Sequence, residues 1–264
     1  MKNGGGSADG LDSPDGMPQP SPMTKADPLL ADHTDEAIAS RIASSASHSY
    51  VGDGVLGAID GTVTTFAIVA ASSGAGLSTG IALVLGLANV VADGFSMAVS
   101  NYLRAKSDLD LLQKARREEE QHIEIIPEGE REEVRHIFAA KGFSGTTLDE
   151  IVEVITADRR RWIDTMLTDE HGLRLDVPRP WRASMTTFLT FLAAGLVPLL
   201  ALYVFGTFPA SAITTAVTFV LIGVAQAKLV GGRVLRSAAE TLLIGGGAAV
   251  LAYLFARWTR GLML

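Results

Sequence analysis

Residues 55–100 read VLGAIDGTVTTFAIVAASSGAGLSTGIALVLGLANVVADGFSMAVS, and Asp60 and Asp93 are the only charged side chains among them. Two segments of about 20 residues, 55–74 and 77–100, are each long enough to cross a hydrocarbon core of about 30 Å. A carboxylate inside a span costs about 2.5–3.5 kcal/mol on insertion scales. Such groups usually serve a cation or proton path, so this stretch predicts a pair of transmembrane helices with a transport role.

The rest of the chain divides sharply by composition, although the average is only 48% hydrophobic with a mean hydropathy of +0.28. Three further apolar segments of span length lie near the C-terminus. We predict an all-α integral membrane protein with five transmembrane helices and a cytoplasmic helical metal-binding insert between spans two and three. The predicted domains are a disordered cytoplasmic tail at 1–50, spans one and two within 51–103, the insert at 104–182, and spans three to five within 183–264, centred on 183–205, 209–228 and 237–257.

Several function classes are excluded by composition and motif. Cysteine is absent, which rules out disulfides and thiolate metal sites. The net charge is −7 and no basic tract occurs, so nucleic acid is not an expected partner. There is no phosphate-binding loop motif, and nothing supports hydrolytic chemistry. We therefore expect a transporter rather than an enzyme, either passive or coupled to an ion gradient.

Basic residues set the expected orientation in the bilayer. They flank the insert and fill the connection between spans four and five, whereas the turns at 72–78 and 206–210 carry no charge. The positive-inside rule then places the N-terminus, the insert and the connection at 228–236 in the cytoplasm.

The second predicted span carries a polar stripe. Asn89, Asp93 and Met97 are spaced i, i+4, i+8 and share one helix face. Amide, carboxylate and thioether ligands together suit a borderline ion such as Fe²⁺ better than Mg²⁺ or Ca²⁺. The alternative is structural: Asn89 bonds across helices, Asp93 caps or pairs, and Met97 packs. For Asp60 the alternative is a carboxylate that reaches the membrane interface.

The insert contains three pairs of metal-ligating residue types at helical spacing: Glu119 with His122, Glu130 with Glu133, and Met166 with Glu170. A Glu-x-x-His pair supplies ligands in di-iron helical bundles. An acidic helix face is more often only solvated, but three pairs attached to carboxylate-bearing spans favour metal binding. His136 and His171 have no partner at comparable spacing, and we interpret both as surface residues.

Two motifs, GAIDGTVTTF at 57–66 and GLANVVADGFSM at 86–97, resemble the vacuolar iron transporter family. The junction NYLRAKS at 101–107 and the Glu-rich insert that ends in WIDTM at 162–166 extend the resemblance, which covers about residues 50–260. The resemblance implies a homodimer in a lipid bilayer, with five spans per subunit and a cytoplasmic metal-binding domain. It also implies export of Fe²⁺, often with Mn²⁺, from the cytosol in exchange for protons, along a path between the first two spans at the dimer interface.

The roles that the resemblance implies can be assigned to the matching positions of this sequence. The first-span aspartate is Asp60, the second-span methionine is Met97, and the ligands of the insert are Glu119, Glu130, Glu133, Met166 and Glu170. His122 stands where the plant-type pattern has a glutamate, and Leu167 where it has a second methionine. Asn89 stands where the plant-type pattern has the acidic residue of the second span, and Asp93 stands where that pattern has a small residue. These departures resemble the bacterial branch, which implies a bacterial plasma membrane and leaves Fe²⁺, Mn²⁺, Co²⁺ and Zn²⁺ open.

Three hypotheses follow from these patterns. The first is a proton-coupled Fe²⁺ and Mn²⁺ exporter that captures metal on its insert. The second is a membrane-anchored metal sensor or store, in which the spans only anchor and dimerise the insert. The third is a carrier of a non-metal solute with a solvated acidic cap. Carboxylates at Asp60 and Asp93 argue against the second, because an anchor needs neither.

Overall fold

The computed structural model describes residues 33–45 and 49–263, and every regular element within them is helical. The elements in chain order are α1 (Asp35–Ser45), α2 (Val51–Gly74), α3 (Thr79–Ile125), α4 (Pro127–Ala140), α5 (Gly145–Thr156), α6 (Arg159–Thr165), a π-helical turn (Met166–Glu170), α7 (Pro180–Phe205), α8 (Phe208–Val230) and α9 (Val234–Met263).

The predicted disordered tail at 1–50 differs from the structure at α1. Thr34 begins this helix, because its Oγ1 accepts a hydrogen bond from the backbone N–H of Ala37 at 3.2 Å. Asp35 and Glu36 in the first turn complement the positive end of the helix dipole. The rest of the predicted tail up to residue 32, and residues 46–48, lie outside the described part of the chain.

Five helices of the described chain are long and apolar enough to cross a membrane: α2, α3, α7, α8 and α9. The prediction of an all-α integral membrane protein with five transmembrane helices is therefore confirmed. The helix α3 has 47 residues, which corresponds to about 70 Å at 1.5 Å per residue. A bilayer core is about 30 Å thick, so more than half of α3 must project from the membrane and lead directly into the insert.

Small residues allow α2 and α7 to pack backbone against backbone. A Cβ at Gly57 would lie 2.4 Å from the Thr187 carbonyl oxygen, and a Cβ at Gly61 would lie 2.4 Å from the Phe191 carbonyl oxygen. Any larger side chain at either position would push the two helices apart. Glycines four residues apart permit this approach in membrane helices, and they bring the first span against the third.

Two apolar clusters form the interior of the unit that comprises residues 48–264. One lies between the spans and includes Phe66, Val69, Val90 and Phe219. The other lies in the insert and draws on α3, α4, α5, α6 and the π-helical turn; its most buried members are Val134, Met166 and Leu167. The domain boundary predicted between residues 103 and 104 falls inside α3 and stays a prediction.

Candidate metal-binding sites

Five metal-ligating side chains of the insert converge from three parts of the chain: Glu119 and His122 on α3, Glu130 on α4, and Glu170 and His171 at the end of the π-helical turn. We call them the carboxylate–imidazole cluster. Their ligand atoms form two groups, Glu119 with His122 and Glu130, and Glu119 with Glu170 and His171. Within each group all ligand atoms lie within 4.8 Å of one another.

Glu119 occupies the centre of the cluster. Its Oε1 lies 2.9 Å from His171 Nε2 and 4.0 Å from His122 Nδ1. His122 Nδ1 also lies 3.3 Å from Glu130 Oε1, and His171 Nε2 lies 3.9 Å from Glu170 Oε2. The arrangement is a compact set of oxygen and nitrogen donors, which is the ligand chemistry that borderline divalent ions prefer.

Two of the carboxylates are buried without full hydrogen bonding. Glu119 is 2% exposed and Glu130 is 1% exposed. Glu119 Oε2 and Glu130 Oε2 are both buried, and neither has a hydrogen-bond partner among the described residues. Burying an unsatisfied charged oxygen is strongly unfavourable, so the pair requires protons or a cation.

The pKa values of the cluster reflect the same unfavourable burial of charge. Burial raises the pKa of Glu130 from 4.5 to about 7, with further contributions from the charges of Glu119 and Glu133. Burial, followed by the same two charges, also raises the pKa of Glu170. The hydrogen bond to Glu119 raises the pKa of His171. Metal-free, the cluster therefore holds protons near neutral pH, and a bound cation would displace them.

His171 is exposed, as predicted, but it has a partner that helical spacing did not indicate, because its Nε2 lies beside Glu119. It follows the π-helical turn, which closes with a hydrogen bond from His171 N–H to the Met166 carbonyl at 3.1 Å. An extra residue per turn shifts every later side chain around the helix axis. Spacing rules for an α-helix therefore could not place His171 beside Glu119, which is 52 residues earlier.

The other predicted ligands of the insert lie around the cluster. Glu133 is exposed, yet its charge acts on Glu130 and Glu170, which places it close to both. Met166 is fully buried and belongs to the apolar core of the insert together with Leu167. The structure thus brings Glu119, His122, Glu130 and Glu170 together, with Glu133 at the edge and Met166 in the core behind them.

The two carboxylates of the spans interact electrostatically. Asp60 on α2 and Asp93 on α3 are both half-buried, and they lie close enough for the charge of Asp93 to act on Asp60. Like charges repel, and the low dielectric of a membrane interior strengthens that repulsion. A proton or a metal cation between the two would relieve it, so the pair is suited to bind either.

The stripe of Asn89, Asp93 and Met97 runs along one edge of α3. All three side chains are half-buried, between a buried face that includes Val90 and Ala98 and an exposed apolar face. Asn89 Nδ2 is buried and has no hydrogen-bond partner among the described residues.

A model of the VIT family matches residues 51–257, which include the first four spans, the insert and most of the fifth span. Vacuolar iron transporter 1 of Arabidopsis thaliana is 32% identical over 212 residues, which cover 78% of this chain and 85% of the relative. A vacuolar iron transporter of Centaurea cyanus is 33% identical over 211 residues, with 77% and 85% coverage. A vacuolar iron transporter of Toxoplasma gondii is 32% identical over 221 residues, with 78% and 73% coverage.

Proposed function

The chain belongs to the VIT family, and on this premise we propose that it exports divalent iron, and also manganese, from the cytosol in exchange for protons. Several relatives carry the name vacuolar iron transporter, which supports iron as the cargo. The spans supply the path, and the insert supplies a site that captures the ion before it enters. The proposal requires no enzymatic step.

The observation that carries the transport proposal is the pair formed by Asp60 and Asp93 within the spans. The two half-buried carboxylates repel each other unless a cation or proton lies between them. Exchange of one for the other at the same pair would couple metal movement in one direction to proton movement in the other. Met97 lies one helical turn beyond Asp93 and adds a soft ligand that favours Fe²⁺ over Mg²⁺.

The carboxylate–imidazole cluster supports the role of the insert in metal capture. One continuous helix, α3, carries both Asp93 and Glu119, 26 residues or about 40 Å apart. The cluster is therefore outside the membrane and can raise the local ion concentration without blocking the path. We place it, with the N-terminus, on the cytosolic side because of the basic residues that flank the insert.

A homodimer would complete the path. The face of α3 next to the stripe exposes large apolar side chains, including Val84, Val91 and Phe95 at 61–68% exposure. We propose that part of this face meets α3 or α2 of a second copy and encloses the stripe. We further propose that the membrane is a bacterial plasma membrane, on the basis of Asn89, Asp93 and His122 at positions where the plant-type pattern differs.

Flux through reconstituted liposomes tests the transport proposal. Vesicles that contain the protein and an Fe²⁺-sensitive dye should accumulate Fe²⁺ faster when their interior is more acidic than the outside, because protons then leave as Fe²⁺ enters. Mn²⁺, Co²⁺ and Zn²⁺ are measured in the same way. We expect the Asp60→Asn and Met97→Ala variants to lose at least about tenfold in initial rate, because each removes a ligand of the ion inside the membrane.

Matched controls are available in the chain. Glu240→Gln changes an exposed carboxylate of α9 that pairs with Arg236, and Met185→Ala removes a half-buried methionine of α7. Both variants should retain the parent rate. Parent-like flux in Asp60→Asn and Met97→Ala would contradict the assignment of the path. Metal binding without any flux would instead favour the sensor or store, whose best support is the well-formed cluster in the insert.

A further inference from the structure

We propose that His171 is a metal ligand and that Glu119 is shared by two cation positions, each of which has one imidazole. The carboxylate–imidazole cluster would then bind borderline first-row ions such as Fe²⁺, Co²⁺ and Zn²⁺ more tightly than Mn²⁺ and Mg²⁺, so that Mn²⁺ is the more weakly captured of the two proposed cargoes. The inference deepens the proposed function, since it takes the cluster as the capture site and specifies which ions it captures.

The first position lies between Glu119, Glu170 and His171. Glu119 Oε1 and His171 Nε2 are 2.9 Å apart. For a cation at about 2.1 Å from both atoms, the oxygen–cation–nitrogen angle would be about 90°, which is the cis angle of octahedral coordination. Glu170 Oε2 lies 3.9 Å from the same nitrogen and can supply the next ligand after a small rotation.

The second position lies between Glu119, His122 and Glu130. His122 Nδ1 and Glu130 Oε1 are 3.3 Å apart. For a cation at about 2.1 Å from both atoms, the nitrogen–cation–oxygen angle would be about 100°. Glu119 Oε1 is 4.0 Å from the same nitrogen. Glu119 is thus common to both groups, and its two oxygens allow it to bridge two cations.

Two buried carboxylate oxygens support cation binding independently of these distances. Glu119 Oε2 and Glu130 Oε2 are buried in residues that are 98–99% inaccessible, and neither oxygen has a partner among the described residues. Such oxygens are rare in a finished protein interior because desolvation is not offset. Both belong to residues of the cluster, and a bound cation would offset the cost of their burial.

The two imidazoles determine the preference. Imidazole binds Fe²⁺, Co²⁺ and Zn²⁺ well, whereas Mg²⁺ and Mn²⁺ favour carboxylate, carbonyl and water oxygens. A cluster of carboxylates alone would distinguish these ions poorly. One imidazole on each position therefore makes this chain more selective than an all-carboxylate site of the same shape.

The experiment uses the full-length protein in detergent, freed of metal, and titrated with Co²⁺ or Mn²⁺. The variants are His171→Gln, His171→Glu, and His136→Gln as the matched control, because His136 lies on α4 of the same domain at 80% side-chain exposure. The Glu119→Gln variant reports on the cluster itself. X-ray absorption of the Co²⁺-loaded protein counts imidazole ligands directly.

We expect His171→Gln to weaken Co²⁺ binding at least about tenfold and to remove one imidazole from the absorption spectrum. Mn²⁺ binding should change less than about threefold. His171→Glu should shift the preference towards Mn²⁺ by about tenfold, which also guards against simple misfolding as the cause. His136→Gln should match the parent in both measurements.

The two proposals fail in different ways. If His171→Gln binds Co²⁺ as the parent does while Glu119→Gln does not, the role of His171 is wrong and metal capture by the cluster stands. If Glu119→Gln also binds as the parent does, the cluster is not the capture site and both are overturned. The count is made in the Asp60→Asn background, which weakens the proposed site in the spans. There, one imidazole per bound Co²⁺ at two ions per chain supports the inference, and any lower count of ions or imidazoles contradicts it.

Discussion

Asn101 donates a hydrogen bond from Nδ2 to Asp53 Oδ1 at 2.9 Å, and this contact joins α3 to α2 near the point where α3 leaves the spans for the insert. The same Nδ2 lies 2.7 Å from Thr187 Oγ1 on α7. Asn101 Oδ1 accepts from Arg104 Nη2 at 2.9 Å. One buried amide therefore joins three membrane helices at the base of the insert.

Replacing Asn101 by Ala should destabilise the protein. The change removes the hydrogen bonds of the Asn101 amide to Asp53 and Thr187, two buried side chains, and a typical hydrogen bond contributes about 0.5–1.5 kcal/mol. Thermal unfolding in detergent measures the effect, with Ser100→Ala as the control because Ser100 is the exposed neighbour on the same helix. Equal unfolding temperatures for the two variants would show that the amide does not hold the helices together.

Gly61→Ala should also destabilise the protein, for a steric reason. A Cβ at this position would lie 2.4 Å from the Phe191 carbonyl oxygen, so α2 and α7 must separate to admit it. Overpacking of this kind typically costs about 1–3 kcal/mol. Gly246→Ala in α9 is the control, since a Cβ there meets nothing within 4 Å. A loss of thermal stability confined to Gly61→Ala is the expected result.

The metal-free protein should lose stability as the pH rises. The pKa of Glu130 is about 7 in the folded state against an ordinary value of 4.5, so the folded protein binds this proton more tightly than the unfolded chain. The resulting stabilisation is complete below about pH 4.5 and is lost as the pH rises through about 7. The raised pKa values of Glu170 and His171 act in the same direction.

Thermal unfolding between pH 5 and pH 8 in a chelator checks this prediction. We expect a loss on the order of 2 kcal/mol in the parent and a flatter profile in Glu130→Gln. Glu132→Gln, an exposed carboxylate on the same helix, is the matched control and should follow the parent. A profile for Glu130→Gln that is as steep as that of the parent would locate the pH dependence elsewhere.

Metal affinity should change with pH in the opposite direction. A cation must displace the proton of Glu130, so the apparent affinity should fall about tenfold for each pH unit below 7. Co²⁺ titrations at pH 6, 7 and 8 measure this. The Glu130→Gln variant should bind more weakly at pH 8 and depend less on pH. An affinity independent of pH in the parent would show that Glu130 is not a ligand.

Much of the architecture could be predicted because it follows from the hydropathy and helical spacing of neighbouring residues. A long apolar run predicts a span whatever surrounds it. The i, i+3 spacing of Glu119 and His122 places both on one face of a helix without knowledge of any neighbour.

The candidate sites were less accessible to sequence reasoning because they depend on contacts between distant residues. His171 follows a π-helical turn and lies beside Glu119, which is 52 residues earlier in the chain. Met166 matches a ligand position by spacing, yet the fold places it in an apolar core. Neither effect has a signature in residue spacing, since α-helical rules assume the register that the π-helical turn breaks.

By itself, the sequence determined the five spans, the position of the insert and the types of ligand available, because hydropathy and helical period act over neighbouring residues. Only the tertiary structure decided which ligands meet. It brought Asp60 near Asp93, buried Glu119 and Glu130 together, and added His171 to them. The physical reason is that burial and charge repulsion arise between segments that are far apart in the chain, and packing alone sets those distances.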